Sequence, residues 1–147
     1  MVICGIDPGL TGAIAMRDIA TGALTVYDMP LLDNRVAVSR FIAILRKSAP
    51  GHVYLERVNG MPGQSAPAAF NFGRGVGQLL GALETLQIPV TEVTSQQWKG
   101  VLKVPRDKDG ARLRATQLMP EHAALWPLKK HDGRAEAALI AFYGCQK

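Results

Sequence analysis

The chain has 147 residues, enough for one domain over positions 1–147 that buries roughly two thirds of its unfolded-chain surface in a single core. Hydrophobic residues make up 48% and charged residues 20%, a balance that excludes disorder, and no apolar stretch is long enough to span a membrane. Seventeen Lys and Arg against twelve Asp and Glu give +5, a mild bias towards an anionic partner.

The run Val2 to Ile6 is apolar and β-branched enough for a strand buried on both faces, and it delivers Asp7 to its end, where Pro8, Gly9 and Gly12 force a tight turn. Ala13 to Met16 returns as a hairpin partner, and Ala23 to Met29 reads as a third strand closed by Pro30. Helical spacing of Val36, Val38, Phe41, Ile42 and Leu45 predicts a helix capped at Asn34 and stopped by Pro50-Gly51. His52-Val53-Tyr54-Leu55-Glu56 is a second short apolar strand that ends in a carboxylate.

Residues 57 to 67 form a loop by composition, either a plain connector or a recognition loop on a rigid scaffold. A long helix is expected from Ala68 to Leu86. Gly73, Gly77 and Gly81 recur on one stripe of it, which predicts close approach to the sheet or to a partner helix. Pro89 to Val93 reads as a fifth strand, and Thr94 or Ser95 caps a short helix in which Trp98 is a core residue. Basic residues cluster from Lys103 to Arg114, as a solvated face or as phosphate contacts. Met119 to Leu128 is irregular around Trp126, and a last helix begins near Asp132.

Asp132 and Glu136 are four apart on one helical face, where like charges repel unless a cation sits between them. Adjacent parallel strands would set Asp7 beside Glu56 at the carboxyl edge of one sheet, the usual ligand edge of open α/β folds. Four carboxylates, with no Cys or His pattern, suit hard cations such as Mg²⁺ or Mn²⁺. Two such ions about 4 Å apart can activate water against a phosphodiester. The cysteines, Cys4 and Cys145, lack metal-site spacing and fit a reduced protein, and the N-terminus lacks a signal-peptide pattern, so a cytoplasmic location is expected.

Gly5-Ile6-Asp7-Pro8-Gly9 with Thr11-Gly12, then Tyr54-Leu55-Glu56, Phe72-Gly73-Arg74-Gly75-Val76-Gly77 and His131-Asp132-Gly133-Arg134-Ala135-Glu136-Ala137, resemble in order the motifs of RuvC-like Holliday junction resolvases in the ribonuclease H-like superfamily. The resemblance implies a mixed five-stranded sheet, three antiparallel strands then two parallel, flanked by helices. It also implies a homodimer and paired, metal-dependent nicks across four-way DNA junctions. Bacterial RuvC proteins end with two Asp residues spaced by three, whereas here the pair is Asp132 and Glu136, a form more similar to phage-encoded and organellar relatives.

The expected metal ligands are therefore Asp7, Glu56, Asp132 and Glu136, holding two ions, with Lys130 as a charge stabiliser beside the scissile phosphate. Expected DNA contacts are Arg57, Met61, Gln64 and Ser65 in the loop, Phe70 and Arg74 on the long helix, and Lys103, Arg106, Lys108, Lys129 and His131 in the basic segments. The dimer is expected through helix 68–86. A ribonuclease acting on structured RNA and a non-catalytic junction-binding protein remain alternatives, whereas an actin-like ATPase would need a second phosphate loop that the chain lacks.

Overall fold

β1 (Val2–Asp7) runs through the middle of a five-stranded sheet of order β3-β2-β1-β6-β7, where β2 is Ala13–Asp18, β3 Leu24–Asp28, β6 His52–Arg57 and β7 Val90–Thr94. β1, β2 and β3 are antiparallel, and β6 and β7 join β1 in parallel, as expected from the sequence. The structure, a computed structural model, describes every residue except Met61 and Lys108. Those two expected DNA contacts lie outside the described residues.

Alternation along β1 sorts the chain into two cores. Cys4 and Ile6, with Ile14, Val53 and Leu55, face α1 (Val38–Ser48) and α2 (Ala66–Thr85), meeting Phe41, Leu45, Leu79 and Leu83. Ile3 and Tyr54, with Ala13 and Ala15, face the opposite side. There they meet α3 (Ser95–Leu102), α4 (Gly110–Leu118) and α5 (Asp132–Gly144), and Trp98 and Trp126 fill this second core completely buried.

α5 can lie directly on the sheet because its inner positions are Ala135, Ala137, Ala138 and Ala141, all fully buried. The sheet answers with Gly5, where a Cβ would overlap the backbone of Ala137 and Ala141. At the helix start, a Cβ on Gly133 would strike the backbone of Thr11 and Gly12. Small side chains on both partners thus hold the first turns of α5 against the turn that follows Asp7.

Two local expectations are corrected, and one alternative is removed. Asn34 does not cap α1: Asp33 and Asn34, at φ 51° and 55°, form the two-residue turn between β4 (Leu31–Leu32) and β5 (Arg35–Val36), and α1 starts after Ala37. Short polar side chains tolerate the left-handed region that such hairpin turns require. α2 starts two residues early, because Ser65 Oγ accepts the Ala68 N–H at 3.3 Å and Pro67 suits the first turn. The Gly73, Gly77, Gly81 stripe does not pack on the sheet, since a Cβ at any of the three meets nothing within 4 Å.

Candidate active site

Register places the first two acids. Ile6 pairs with Leu55 in the parallel β1–β6 ladder, so Asp7 and Glu56 come next and point to the same face, the one covered by α5. Glu136, one turn into α5, reaches down to them. Carboxylate oxygens of Asp7, Glu56 and Glu136 all lie within 4.8 Å of one another.

The arrangement is electrostatically strained. Burial, then the charges of Glu136 and Glu56, push the Asp7 carboxyl up to about 7, against a weak pull from the Gly9 N–H at 3.5 Å and from Lys99. Burial first and Glu136 second also raise Glu56, which is 6% exposed. Trp98, Lys99 and a hydrogen bond from the Ser95 side chain oppose this at Glu56. Trp98 Nε1 donates to Glu56 Oε1 at 3.1 Å, and Lys99 Nζ donates to Glu136 Oε1 at 2.7 Å while lying 5.0 Å above the Trp98 ring. Both come from α3, whose start is fixed by a capping box between Thr94 and Gln97. Sequence reading placed Trp98 in the core correctly but assigned no role to Lys99. The only signal was its place next to Trp98 in a helix launched from the carboxyl end of β7.

Asp132 has a different partner from the other three expected ligands. It stands outside the three-acid group and its Oδ1 accepts from Arg112 Nε at 2.9 Å, while the same guanidinium reaches Asp109 and, at 3.4 Å, the Pro127 carbonyl. The repulsion expected between Asp132 and Glu136 is answered by two different cations, Arg112 and Lys99, drawn from two helices. Asp132 still borders the cleft that opens beside Glu136. This cleft of about 820 Å³ is bounded by Ser95, Lys99, Pro105, Arg106 and Ala111.

No protein-family model and no curated protein matches the chain. Among solved structures, Thermus thermophilus RuvC in complex with a Holliday junction substrate superposes with TM-score 0.68 and 21% identity, covering 98% of this chain and 94% of that one. A second Thermus thermophilus RuvC structure gives TM-score 0.68 and 23% identity over 98% and 95%. The yeast mitochondrial Holliday junction resolvase Ydc2 gives 0.63 and 15% over 98% and 77%. The fold is RuvC-like.

Within this RuvC-like fold the remaining expected residues divide. Lys129 and Lys130 are exposed, and the Lys130 charge is among those that act on Asp28, whereas Lys99 meets Glu136. Asp28 is held below the usual carboxylate range chiefly by Arg134, which binds it through two nitrogens at 2.6 and 2.7 Å and ties α5 to β3. His131 is buried, its Nδ1 accepts the Leu128 N–H at 3.2 Å, and burial lowers its pKa.

Arg57, Gln64, Ser65, Phe70, Arg74, Lys103 and Arg106 are exposed, Phe70 at 69%. Arg74 is braced by Asn71 Oδ1 at 3.2 Å and lies 5.9 Å from the Phe70 ring centre. Further along the basic segment, Arg114 is spent internally, its Nε donating to the Leu102 carbonyl at 2.6 Å. No helix of the described residues is long and apolar enough to cross a membrane.

Proposed function

We propose that the chain is a metal-dependent endodeoxyribonuclease that resolves four-way DNA junctions by paired phosphodiester hydrolysis. The observation that carries this reading is the convergence of Asp7, Glu56 and Glu136 at the carboxyl edge of a RuvC-like sheet. One of the superposed structures is a RuvC bound to a Holliday junction substrate, which supports the choice of DNA.

The residues fit a divalent metal. Three carboxylates within 4.8 Å, with no thiol or imidazole in the group, form an all-oxygen donor set of the kind Mg²⁺ and Mn²⁺ prefer. The raised Asp7 carboxyl is that of a site short of positive charge. Asp7, Glu56 and Glu136 would hold the metal, with Asp132 as an outer acid one helical turn before Glu136 at the edge of the cleft. Bound there, divalent metal supplies Lewis-acid charge at the scissile phosphate and lowers the pKa of attacking water.

The chain's own residues do the rest. Trp98 fixes the Glu56 carboxylate, and the small-residue contact of α5 with β1 sets the distance of Glu136 from Asp7. Lys99 holds Glu136 in place, and its ammonium is positioned to stabilise negative charge developing on a transferred phosphoryl group. Arg106 and Lys103, exposed at the cleft and at the end of α3, offer backbone phosphate contacts. Exposed Phe70 is suited to press against unstacked bases.

A four-way junction has approximate two-fold symmetry and needs two related nicks, so one site per chain calls for a symmetric pair. α2 is the element we assign to it, because its glycine stripe faces away from the core with open space above it.

The deciding assay is incubation with a synthetic four-way junction, with and without Mg²⁺, read on a denaturing gel beside a duplex RNA of equal size. Symmetric Mg²⁺-dependent nicks in the junction are expected. Cleavage of the RNA alone would replace the DNA reading with a ribonuclease, and tight junction binding with no cleavage in Mg²⁺ would leave a binding protein.

A further inference from the structure

Two charged side chains near the start of α5 leave the helix in opposite directions. Ala135 between them is fully buried, so Arg134 and Glu136, each about 100° around the helix from it, project to either flank. Glu136 reaches the acids at the ends of β1 and β6, and Arg134 reaches Asp28 at the end of β3. The two contacts lie on one row of the sheet, since Asp7 pairs with Ala13 and Ala13 with Asp28. That row sets Asp28 about 10 Å from Asp7, twice the strand spacing and close to the width of a helix with its side chains. α5 therefore straddles the row with one charged arm on each side.

The two arms meet opposite conditions. Glu136 adds a third negative charge to Asp7 and Glu56, and the repulsion favours a roll of α5 about its own axis that lifts Glu136 away. The packing beneath resists such a roll weakly. Ala135, Ala137, Ala138 and Ala141 over Gly5 are small groups that fix how close the helix lies and present no ridge to stop its turning.

Arg134 supplies the missing restraint. Its Nε and Nη2 donate to the two oxygens of Asp28 at 2.6 and 2.7 Å, a planar two-point pair with a fixed direction, and its Nη1 donates to the Leu125 carbonyl at 3.2 Å. The Asp28 side chain is 65% exposed, and ion pairs open to water contribute little to stability, so direction and not strength is what this pair adds. Over an arm of about 6 Å, a roll of about 10° carries the Glu136 carboxylate about 1 Å, and an error of about 1 Å in a reacting geometry costs of order 10² in rate.

We propose that Arg134 and Asp28 are positioning residues that set the rotation of α5, and through it the reach of Glu136 towards Asp7 and Glu56. The inference rests on the metal-dependent function proposed above and adds a remote determinant of its site. Both residues act through the helix.

The test reads Mn²⁺ binding without DNA by calorimetry, beside the melting temperature and the cleavage of a four-way junction in Mg²⁺. Arg134→Met and Asp28→Ala should each weaken Mn²⁺ binding and lower kcat by about tenfold or more, the lower range for residues that orient a metal ligand. Junction affinity and melting temperature should stay close to wild type. Arg134→Lys, which keeps the charge and loses the fork, should match Arg134→Met. The double variant Asp28→Ala/Arg134→Met should be no worse than either single one, as a single shared contact requires. Mn²⁺ affinity within about twofold of wild type in the folded single variants would overturn the proposal, and so would additive losses in the double variant or full activity in Arg134→Lys. Should Arg134→Met fail to fold, Asp28→Ala decides alone. A wild type that binds no Mn²⁺ and cuts no junction refutes the function and this pair's role with it, whereas equal cutting by wild type and variants refutes only the role of the pair.

Discussion

Lys99 Nζ sits 2.7 Å from Glu136 Oε1, and Trp98, its neighbour in the chain, holds Glu56 Oε1 at 3.1 Å. Two consecutive residues of α3 therefore each fix one carboxylate of the three-acid group. The ammonium partly offsets a cluster of negative charge that would otherwise oppose folding. Replacing Lys99 with Met should lower the cleavage rate by roughly 10²- to 10³-fold, the usual cost of removing one preorganised charge-stabilising group, with little change in junction affinity. Lys130→Ala, exposed and acting on Asp28, should cut within about threefold of wild type, under 1 kcal/mol of barrier. Equal losses in the two variants would return Lys130 to the mechanism.

Asp7→Asn keeps shape and removes one ligand charge at the centre of the group. Cleavage should fall below detection while gel-shift affinity for the junction holds or improves, since repulsion towards phosphate drops. Asp132→Asn should retain most of the activity, because that carboxylate faces Arg112 and not the other acids. A complete loss in Asp132→Asn with an unchanged melting temperature would restore it to the metal-binding set.

The raised Asp7 carboxyl ties stability to pH. Its pKa lies near 7 in the folded chain against 3.8 ordinarily, so the folded state holds the proton more tightly than the unfolded state. The penalty for ionising it is therefore absent below about pH 4, grows as pH rises, and is complete above about pH 7. Glu56 is raised as well and acts in the same direction. In EDTA the melting temperature should fall between about pH 5 and 8, and Mg²⁺ or Mn²⁺ should restore it most at the high end. A melting temperature that is flat or rising over this range without metal would contradict the buried-acid geometry.

Glycines at two places should respond in opposite ways. Gly5→Ala drives a methyl into the backbone of α5 and should destabilise the chain by roughly 1–3 kcal/mol or more, with activity lost at temperatures where the wild type is active. Gly77→Ala meets open space in the single chain and should stabilise α2 by about 1 kcal/mol if the helix stands alone. Gly77→Leu should stay folded yet sediment as a monomer and lose paired nicking if α2 is the dimer contact. Wild-type monomers at micromolar concentration that still nick both strands would remove α2 from that role.

The sequence by itself carried the strands and the two acids at their ends, because both follow from local rules. An apolar run of β-branched residues makes a strand wherever it falls, and period two fixes which side Asp7 and Glu56 face once Ile6 pairs with Leu55. The burial of Trp98 and Trp126 was equally legible as bulk within amphipathic segments. Spacing alone also put Asp132 and Glu136 on one helical face, but it could not say what each carboxylate meets. Only the packed chain brings Arg112, twenty residues upstream, to Asp132 and Lys99, thirty-seven upstream, to Glu136. Nothing within one helix states which distant cation will neutralise which acid. Asn34 shows the same limit on a smaller scale. A short polar side chain suits a helix cap and a left-handed turn equally, and the β4–β5 pairing chose the turn. The glycines of α2 could meet the sheet or a partner helix by their spacing, and the burial of Leu79 and Leu83 turned them away from the sheet.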